Sequence, residues 1–396
     1  MIKDLQVPSI IGNGKYTFGK ELGYGAYGKV CLYKNKAGIE FALKIFKEYT
    51  KFIEEKSIQL DLQAKNMDKD LMIPDIYYDG SQICLNDNEE QLSYLVFEYL
   101  PLSLEKYYKE KIALNIRVDL PKMITQVITL LKQLHKLGYR HRDIKPDNFR
   151  VKEQIEGDFQ IYLIDFGSAK VIQEVQNSDQ ILKNVGTSAT SSIFTTDDKI
   201  ALEGDDLISA LYTILILVEP ANISWLEICY QIVGNPTMDQ KQEMIAKKEE
   251  INEGQFNNKL CQRAVSVIKY LEKLRNTNLQ KYQSGLEYDE VINFITNDVD
   301  NLDIRQKQPQ KRKSFDIEKK PDIINPDTDT EENQQRQNIL IQILYFISCC
   351  CIWIKIFRCC KRKRTYDIGD DDNQDAFNRE NKQQMQEELI NKDKQN

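Results

Sequence analysis

The densest group of chemistry-bearing side chains is the run His141-Arg142-Asp143-Ile144-Lys145-Pro146-Asp147-Asn148. Moving a phosphoryl group asks a protein for positioning and charge stabilisation rather than for covalent chemistry. A carboxylate must orient the attacking hydroxyl and accept its proton, and Asp143 suits that role. A cation must sit beside the transferring group, and Lys145 suits that one. Mg²⁺ is a hard cation that takes oxygen ligands; Asn148 supplies one, and Asp165, opening Asp165-Phe166-Gly167, supplies a second. A capping Asp or a plain turn would explain any one of these pieces. Their order along a single chain is much more specific than any piece alone.

A second group lies upstream, in Gly23-Tyr24-Gly25-Ala26-Tyr27-Gly28-Lys29-Val30. Alone, glycines at this spacing are weak evidence, because a tight hairpin uses them too. Their setting narrows the choice. The run separates two strands rather than a strand and a helix, which argues against a dinucleotide-binding fold. Glycine lets backbone approach a phosphate closely. Sixteen residues after Gly28, Lys44 ends Ala42-Leu43-Lys44 inside a third strand. A lysine beneath such a turn reaches nucleotide phosphates; otherwise it is a solvated strand residue.

The elements that must hold these groups follow from periodicity. KYTFGKEL, KVCLYKN and IEFALKIF, between residues 15 and 46, read as three strands, the last two turning at Asn35–Gly38. Residues 50–65 have helical spacing, with Phe52, Ile53, Ile58, Leu60 and Leu62 as core candidates. Residues 92–100 (LSYLVFEYL) read as a buried strand ending at Pro101. Leu120 to Leu137 reads as a helix opened by Pro121 and stopped by Gly138. Residues 159–166 (FQIYLIDF) form another strand, Asp206 to Val218 a buried helix, and helical patterns continue to about Asn297.

Taken together, these motifs resemble the protein-kinase signature over residues from about 12 to 298. The resemblance implies an α+β, two-lobed protein-kinase fold with a small β-rich amino-terminal lobe and a larger helical lobe. It implies ATP and Mg²⁺ as cofactors and protein substrates with Ser or Thr acceptors. Leu22, Gly23, Gly25, Gly28, Val30 and Ala42 would line the nucleotide. Lys44 would join Asp143 and Lys145 in catalysis, with Asn148 and Asp165 on the metal. Lys44 calls for a partner carboxylate on the following helix; Glu55 is favoured and Glu54 is the alternative. Leu95-Val96-Phe97-Glu98-Tyr99-Leu100 resembles the hinge, with the backbone of Glu98 and Leu100 on the adenine edge and Phe97 as gatekeeper. Lys145 sits where serine/threonine kinases carry lysine and where tyrosine kinases usually differ.

Within kinases, the chain is similar to the casein kinase 1 family at Pro101–Glu105, His141–Phe149 and Ile164–Lys170. Gly186-Thr187, Ser191-Ser192-Ile193 and Asp205-Asp206-Leu207 replace the usual Ala-Pro-Glu. Asp206 would brace the catalytic loop, and Trp225 either matches a family tryptophan or is a core aromatic. Ala189 stands where the family has an arginine, and Glu203 and Gly204 stand where it has two basic residues. Those basic groups form an anion site for substrates already carrying phosphate, and charge-assisted bonds to phosphate need Arg or Lys. A weakened preference for primed substrates is expected. A pseudokinase scaffold, which binds without turnover, is the alternative to an active enzyme.

Composition bounds the remainder. With 396 residues and a net charge of −7, the chain does not suit nucleic-acid binding, which needs a basic face. The amino terminus lacks the long apolar run of a signal peptide. Cys31, Cys84, Cys229 and Cys261 are scattered, as reduced cytosolic thiols are. Residues 299–337 are polar and read as a disordered linker, and 361–396 as a disordered tail. Between them, 338–360 forms an apolar, Cys-rich, membrane-associating segment. Ile339–Phe357 would make a helix of about 28 Å, close to a hydrocarbon core. Lys361-Arg362-Lys363-Arg364 follows, and a single span cannot keep both that cluster and an ATP-using domain in the cytosol. An S-acylated surface anchor at Cys349–Cys351 and Cys359–Cys360 satisfies both; a spanning helix and an apolar segment packed on a partner are the alternatives. The expected location is cytoplasmic, on the cytosolic face of a membrane.

Overall fold

The first three long strands are antiparallel neighbours because two short turns connect them: β2 (Tyr16–Tyr24), β3 (Gly28–Asn35) and β4 (Glu40–Phe46), with β1 (Ile10–Ile11) on the outer edge of β2. A computed structural model describes residues 5–25, 27–77, 82–85, 90–154, 157–172 and 186–297. These lie in one compact unit, Met1–Asp303. The linker, the apolar Cys-rich segment and the tail expected beyond residue 298 fall outside the described residues. After β4, helix α1 (Tyr49–Lys65) crosses over, followed by β5 (Ile76–Tyr77), β6 (Gln82–Leu85) and β7 (Glu90–Glu98). The sheet runs β1-β2-β3-β4-β7-β5, with β6 also on β7. Its alternating inward residues, among them Tyr33, Leu43, Ile45, Tyr94 and Val96, are fully buried in one core cluster.

The second lobe begins with β8 (Leu102–Ser103) and α2 (Leu104–Ala113), capped by the Ser103 side chain, which accepts from Lys106 N–H. Helix α3 (Leu120–Lys136) is strongly amphipathic and buries Met123, Ile124, Val127, Ile128, Leu131 and Leu134. Then come β9 (Tyr139–Arg140), the hairpin of β10 (Phe149–Glu153) and β11 (Phe159–Leu163), and β12 (Lys170–Val171), which pairs with β9. The rest is helical: α4 (Ile193–Thr196), α5 (Glu203–Val218), α6 (Leu226–Gln231), α7 (Met238–Glu249), α8 (Lys259–Thr277), α9 (Leu279–Ser284) and α10 (Tyr288–Thr296). Helix α5 is buried nearly all round, as expected for a central helix that others pack against.

Two sequence expectations need correction. Ile53 is 40% exposed; it sits a quarter-turn off the α1 stripe formed by Phe52, Glu55, Gln59 and Leu62. Strand β11 ends at Leu163 rather than Phe166, because Asp165 takes a left-handed conformation (φ 64°) that breaks the ladder. Among the described residues, no helix is long and apolar enough to cross a membrane.

Candidate active site

Strand β4 delivers Lys44 from a fully paired position, opposite Val30 on one side and Leu95 on the other. Its side chain is 7% exposed. Nζ donates to Glu55 Oε1 and Oε2 at 2.8 and 2.6 Å and to Asp165 Oδ1 at 2.7 Å. This settles the choice on α1: Glu55 is 2% exposed, whereas Glu54 is an exposed residue paired with Lys51. Burial disfavours the Lys44 ammonium, but Asp165 and Glu55 outweigh it and raise its pKa. Burial likewise pushes Asp165 up, and Lys44, by charge and hydrogen bond, overcomes this and brings it down to about 2. For Glu55 burial wins over Lys44 and pushes the carboxyl up to about 7.

The β10–β11 hairpin sets the two expected metal donors side by side. Phe149 pairs with Leu163, and Ile164 N–H donates to Asn148 O at 2.9 Å, so residues 148 and 165 flank the open end of the ladder. Asn148 Nδ2 donates to the Asp143 carbonyl at 2.8 Å, which leaves Oδ1 as its outward acceptor. Two oxygen-bearing side chains match Mg²⁺, which keeps waters and phosphate oxygens for its other positions. Among the described residues there is no His/Cys/Asp/Glu cluster of three that would hold a metal on protein ligands alone.

Asp143 is held from two directions. Lys145 Nζ donates to Oδ2 at 2.8 Å, and Thr187 Oγ1 donates to Oδ1 at 2.8 Å. The loop that carries it is braced by Asp206 near the start of α5, which accepts from His141 N–H at 2.7 Å and Arg142 N–H at 2.8 Å. His135 Nε2, from α3, lies 3.0 Å from Asp206 Oδ2. Burial raises the Asp206 pKa, and the His135 bond, nearby histidine charge and the Arg142 N–H lower it further than burial raises it. Arg142 is left at φ 71°, a strained backbone fixed by these contacts.

The glycines fall into two classes. A Cβ on Gly28 would lie 2.4 Å from Ile45 O, and one on Gly167 would lie 2.8 Å from Glu55 Oε2, so protein packing demands both glycines. A Cβ on Gly23 or Gly25 would meet nothing within 4 Å. Those two are not explained by the protein's own packing, which fits a site where a phosphate comes close to backbone. Leu22, Val30 and Ala42 lie on the same three strands. At the β7 end, Glu98 N–H donates to Asp75 O at 2.9 Å, so only the Glu98 carbonyl remains for a ligand, beside the backbone of Leu100.

Residues 16–192 match the family model described as protein kinase domain. The curled antiparallel sheet, the helical second lobe and this match make the fold the two-lobed, α+β protein-kinase fold, and they support a phosphotransferase. Protein kinase domains generally use ATP and Mg²⁺, and the donor set above fits both.

Several partners were not visible in the sequence. Thr187 on Asp143 and His135 on Asp206 are separated from their partners by 44 and 71 positions. Glu203 and Gly204 are both buried. Glu203 accepts from Arg140 Nε at 3.1 Å, and Arg140 is 0% exposed. A Cβ on Gly204 would lie 2.3 Å from the Tyr282 ring. Neither position therefore presents a basic or exposed side chain at the place where the family carries its basic pair. Trp225 is a core residue that also donates Nε1–H to Ala189 O at 2.7 Å.

Proposed function

We propose that the protein is a serine/threonine protein kinase of casein kinase 1 type. The observation that carries this is Asp143, whose side chain is partly exposed (15%) while Lys145 and Thr187 fix its two oxygens. In this reading the acceptor hydroxyl of a protein Ser or Thr lies against Asp143. Its oxygen forms the new bond to the γ-phosphorus, its proton passes to the Asp143 carboxylate, and the bond to the bridging oxygen of the nucleotide breaks. Lys145 offsets charge on the transferring group, and Lys44 orients the nucleotide phosphates while Glu55 keeps its ammonium in place. Asn148 and Asp165 would hold Mg²⁺, which would neutralise charge on the phosphates. Leu22, Gly23, Gly25, Gly28, Val30 and Ala42 form the nucleotide cradle, with the Glu98 carbonyl and Leu100 at the adenine edge.

The test is transfer of labelled phosphate from ATP to casein and to the protein itself, wild type beside Asp143→Asn, over a range of Mg²⁺. Mg²⁺-dependent labelling on Ser and Thr that Asp143→Asn abolishes is expected. Intact nucleotide binding with no labelling by wild type would favour a pseudokinase scaffold.

Two narrower readings accompany this one. Residues 186–204 carry one basic side chain, Lys199, which pairs with Asp197 at 3.1 Å. With Ala189 in place of arginine, this supports substrates that need no prior phosphate. The sequence of the Cys-rich segment and the basic run Lys361–Arg364 supports an S-acylated anchor on the cytosolic face of a membrane.

A further inference from the structure

Lys248 is a buried cation that the chemistry described above does not use. It lies in the last turn of α7 with 0% exposure, inside the helical lobe. Its Nζ donates to Ser188 O at 2.8 Å, to Ser191 O at 2.7 Å and to Thr196 Oγ1 at 3.3 Å. The rings of Trp225 and Tyr212 lie with centroids 5.6 and 5.7 Å from the ammonium. Two side chains from the lobe interior, Lys248 and Trp225, therefore take the carbonyls of residues 188, 189 and 191, Trp225 taking the middle one. The same short segment reaches the catalytic loop from its other side. Thr187 Oγ1 donates to Asp143 Oδ1, and Thr190 Oγ1 donates to Ile144 O at 2.6 Å.

We propose that Lys248 is a positioning residue for phosphoryl transfer: its ammonium holds segment 188–196 in the shape that presents Thr187 to Asp143 and lays the segment beside an incoming protein substrate. This rests on the kinase reading above.

The charge itself is finely balanced. Burial lowers the Lys248 pKa to about 7, against weaker upward pulls from Cys229 on α6 and Glu272 on α8. The other polar groups around it are Lys269, whose Nζ reaches the Lys248 carbonyl, and Tyr212. Burial raises the Cys229 thiol and the Glu272 carboxyl as well. Below about pH 7 the ammonium is intact; above it the neutral amine has one donor fewer and no cation–π attraction. Because the folded pKa lies below the usual 10.5, the unfolded chain binds this proton more tightly between those values, and this group's contribution to stability rises with pH there. Loss of activity over that range thus has the opposite sign to any loss of folding caused by the same group.

The experiment measures kcat and KM separately for ATP and for casein from pH 6 to 9, on wild type, Lys248→Met and Lys248→Arg, with thermal midpoints at each pH. Wild type should lose kcat/KM for casein as pH rises through about 7, with its thermal midpoint maintained. Lys248→Met should be lower by roughly 10- to 100-fold for casein, with a flat profile, as expected for a displaced catalytic geometry, and its KM for ATP should change less than about twofold. Lys248→Arg, whose charge does not titrate, should lose the decline. Equal casein kinetics and the same pH profile in all three proteins would overturn the proposal. So would a decline that survives in Lys248→Arg. If wild type transfers no phosphate at any pH, the kinase reading fails on its own. Amide hydrogen exchange across residues 186–196 then decides the positioning claim without turnover: faster exchange in Lys248→Met supports it, and unchanged exchange overturns it.

Discussion

Asp206 illustrates how much a single buried carboxylate organises. It accepts two successive backbone N–H groups of the catalytic loop and faces His135. Asp206→Asn keeps the shape but turns one acceptor oxygen into a donor facing another donor. A loss of about 1–3 kcal/mol in stability is expected from the unsatisfied group, read by denaturant unfolding. A larger fall in kcat than in nucleotide affinity should accompany it. Lys44→Met tests the neighbouring triad. It removes the ammonium between two carboxylates that lie 2.6 and 2.7 Å from it, so ATP turnover should be lost. With Lys44 gone, Asp165 also loses the largest influence holding its pKa near 2, and its titration should move up, which carboxylate NMR would follow.

Between elements, the buried pair Arg140–Glu203 ties β9 to the start of α5. Arg140 Nη2 lies 3.0 Å from the Glu203 carboxylate without hydrogen-bond alignment, so Nε carries the directional bond. Arg140→Met leaves Glu203 buried and unpaired, and should cost about 3–5 kcal/mol. Arg140→Met combined with Glu203→Leu should regain most of that loss, because an apolar pair avoids the desolvation of both ions. Thermal or denaturant unfolding of the two variants checks this, and equal destabilisation of single and double variants would contradict it. The pairing of Phe149 with Leu163 similarly explains why Asn148 and Asp165 meet although 17 positions separate them.

For the whole molecule, two expectations concern what the chain meets. A peptide array should show little gain from a phosphate upstream of the acceptor. A strong demand for it would mean that some other basic surface replaces Ala189. Cell fractionation should find the protein with membranes, and replacing Cys349, Cys350, Cys351, Cys359 and Cys360 by Ser should release it. A full-length protein that is equally membrane-bound without those thiols would point to a spanning helix.

The chemistry-bearing residues were legible because phosphoryl transfer constrains them locally. Asp143, Lys145 and Asn148 share one loop, Asp165 follows a strand, and the glycine run separates two strands. Strands and helices were legible through their periodicity, and α3 with its Pro121 start and Gly138 stop is the clearest case. Local sequence could not decide which of Glu54 and Glu55 faces Lys44, since both belong to the same turn of α1; only the packing of that helix on the sheet buries Glu55. Nor could it reveal that Glu203 is the inward partner of Arg140, or that Lys248 reaches segment 188–196. A buried charge is tolerated only where a distant part of the fold supplies its partner, and these partners lie 63 and 57 positions away. The sequence by itself therefore determined the class of chemistry and singled out the residues proposed to carry it. Tertiary structure alone decided which buried charges hold those residues in place, because desolvation and pairing depend on what packs around a group and not on its neighbours along the chain.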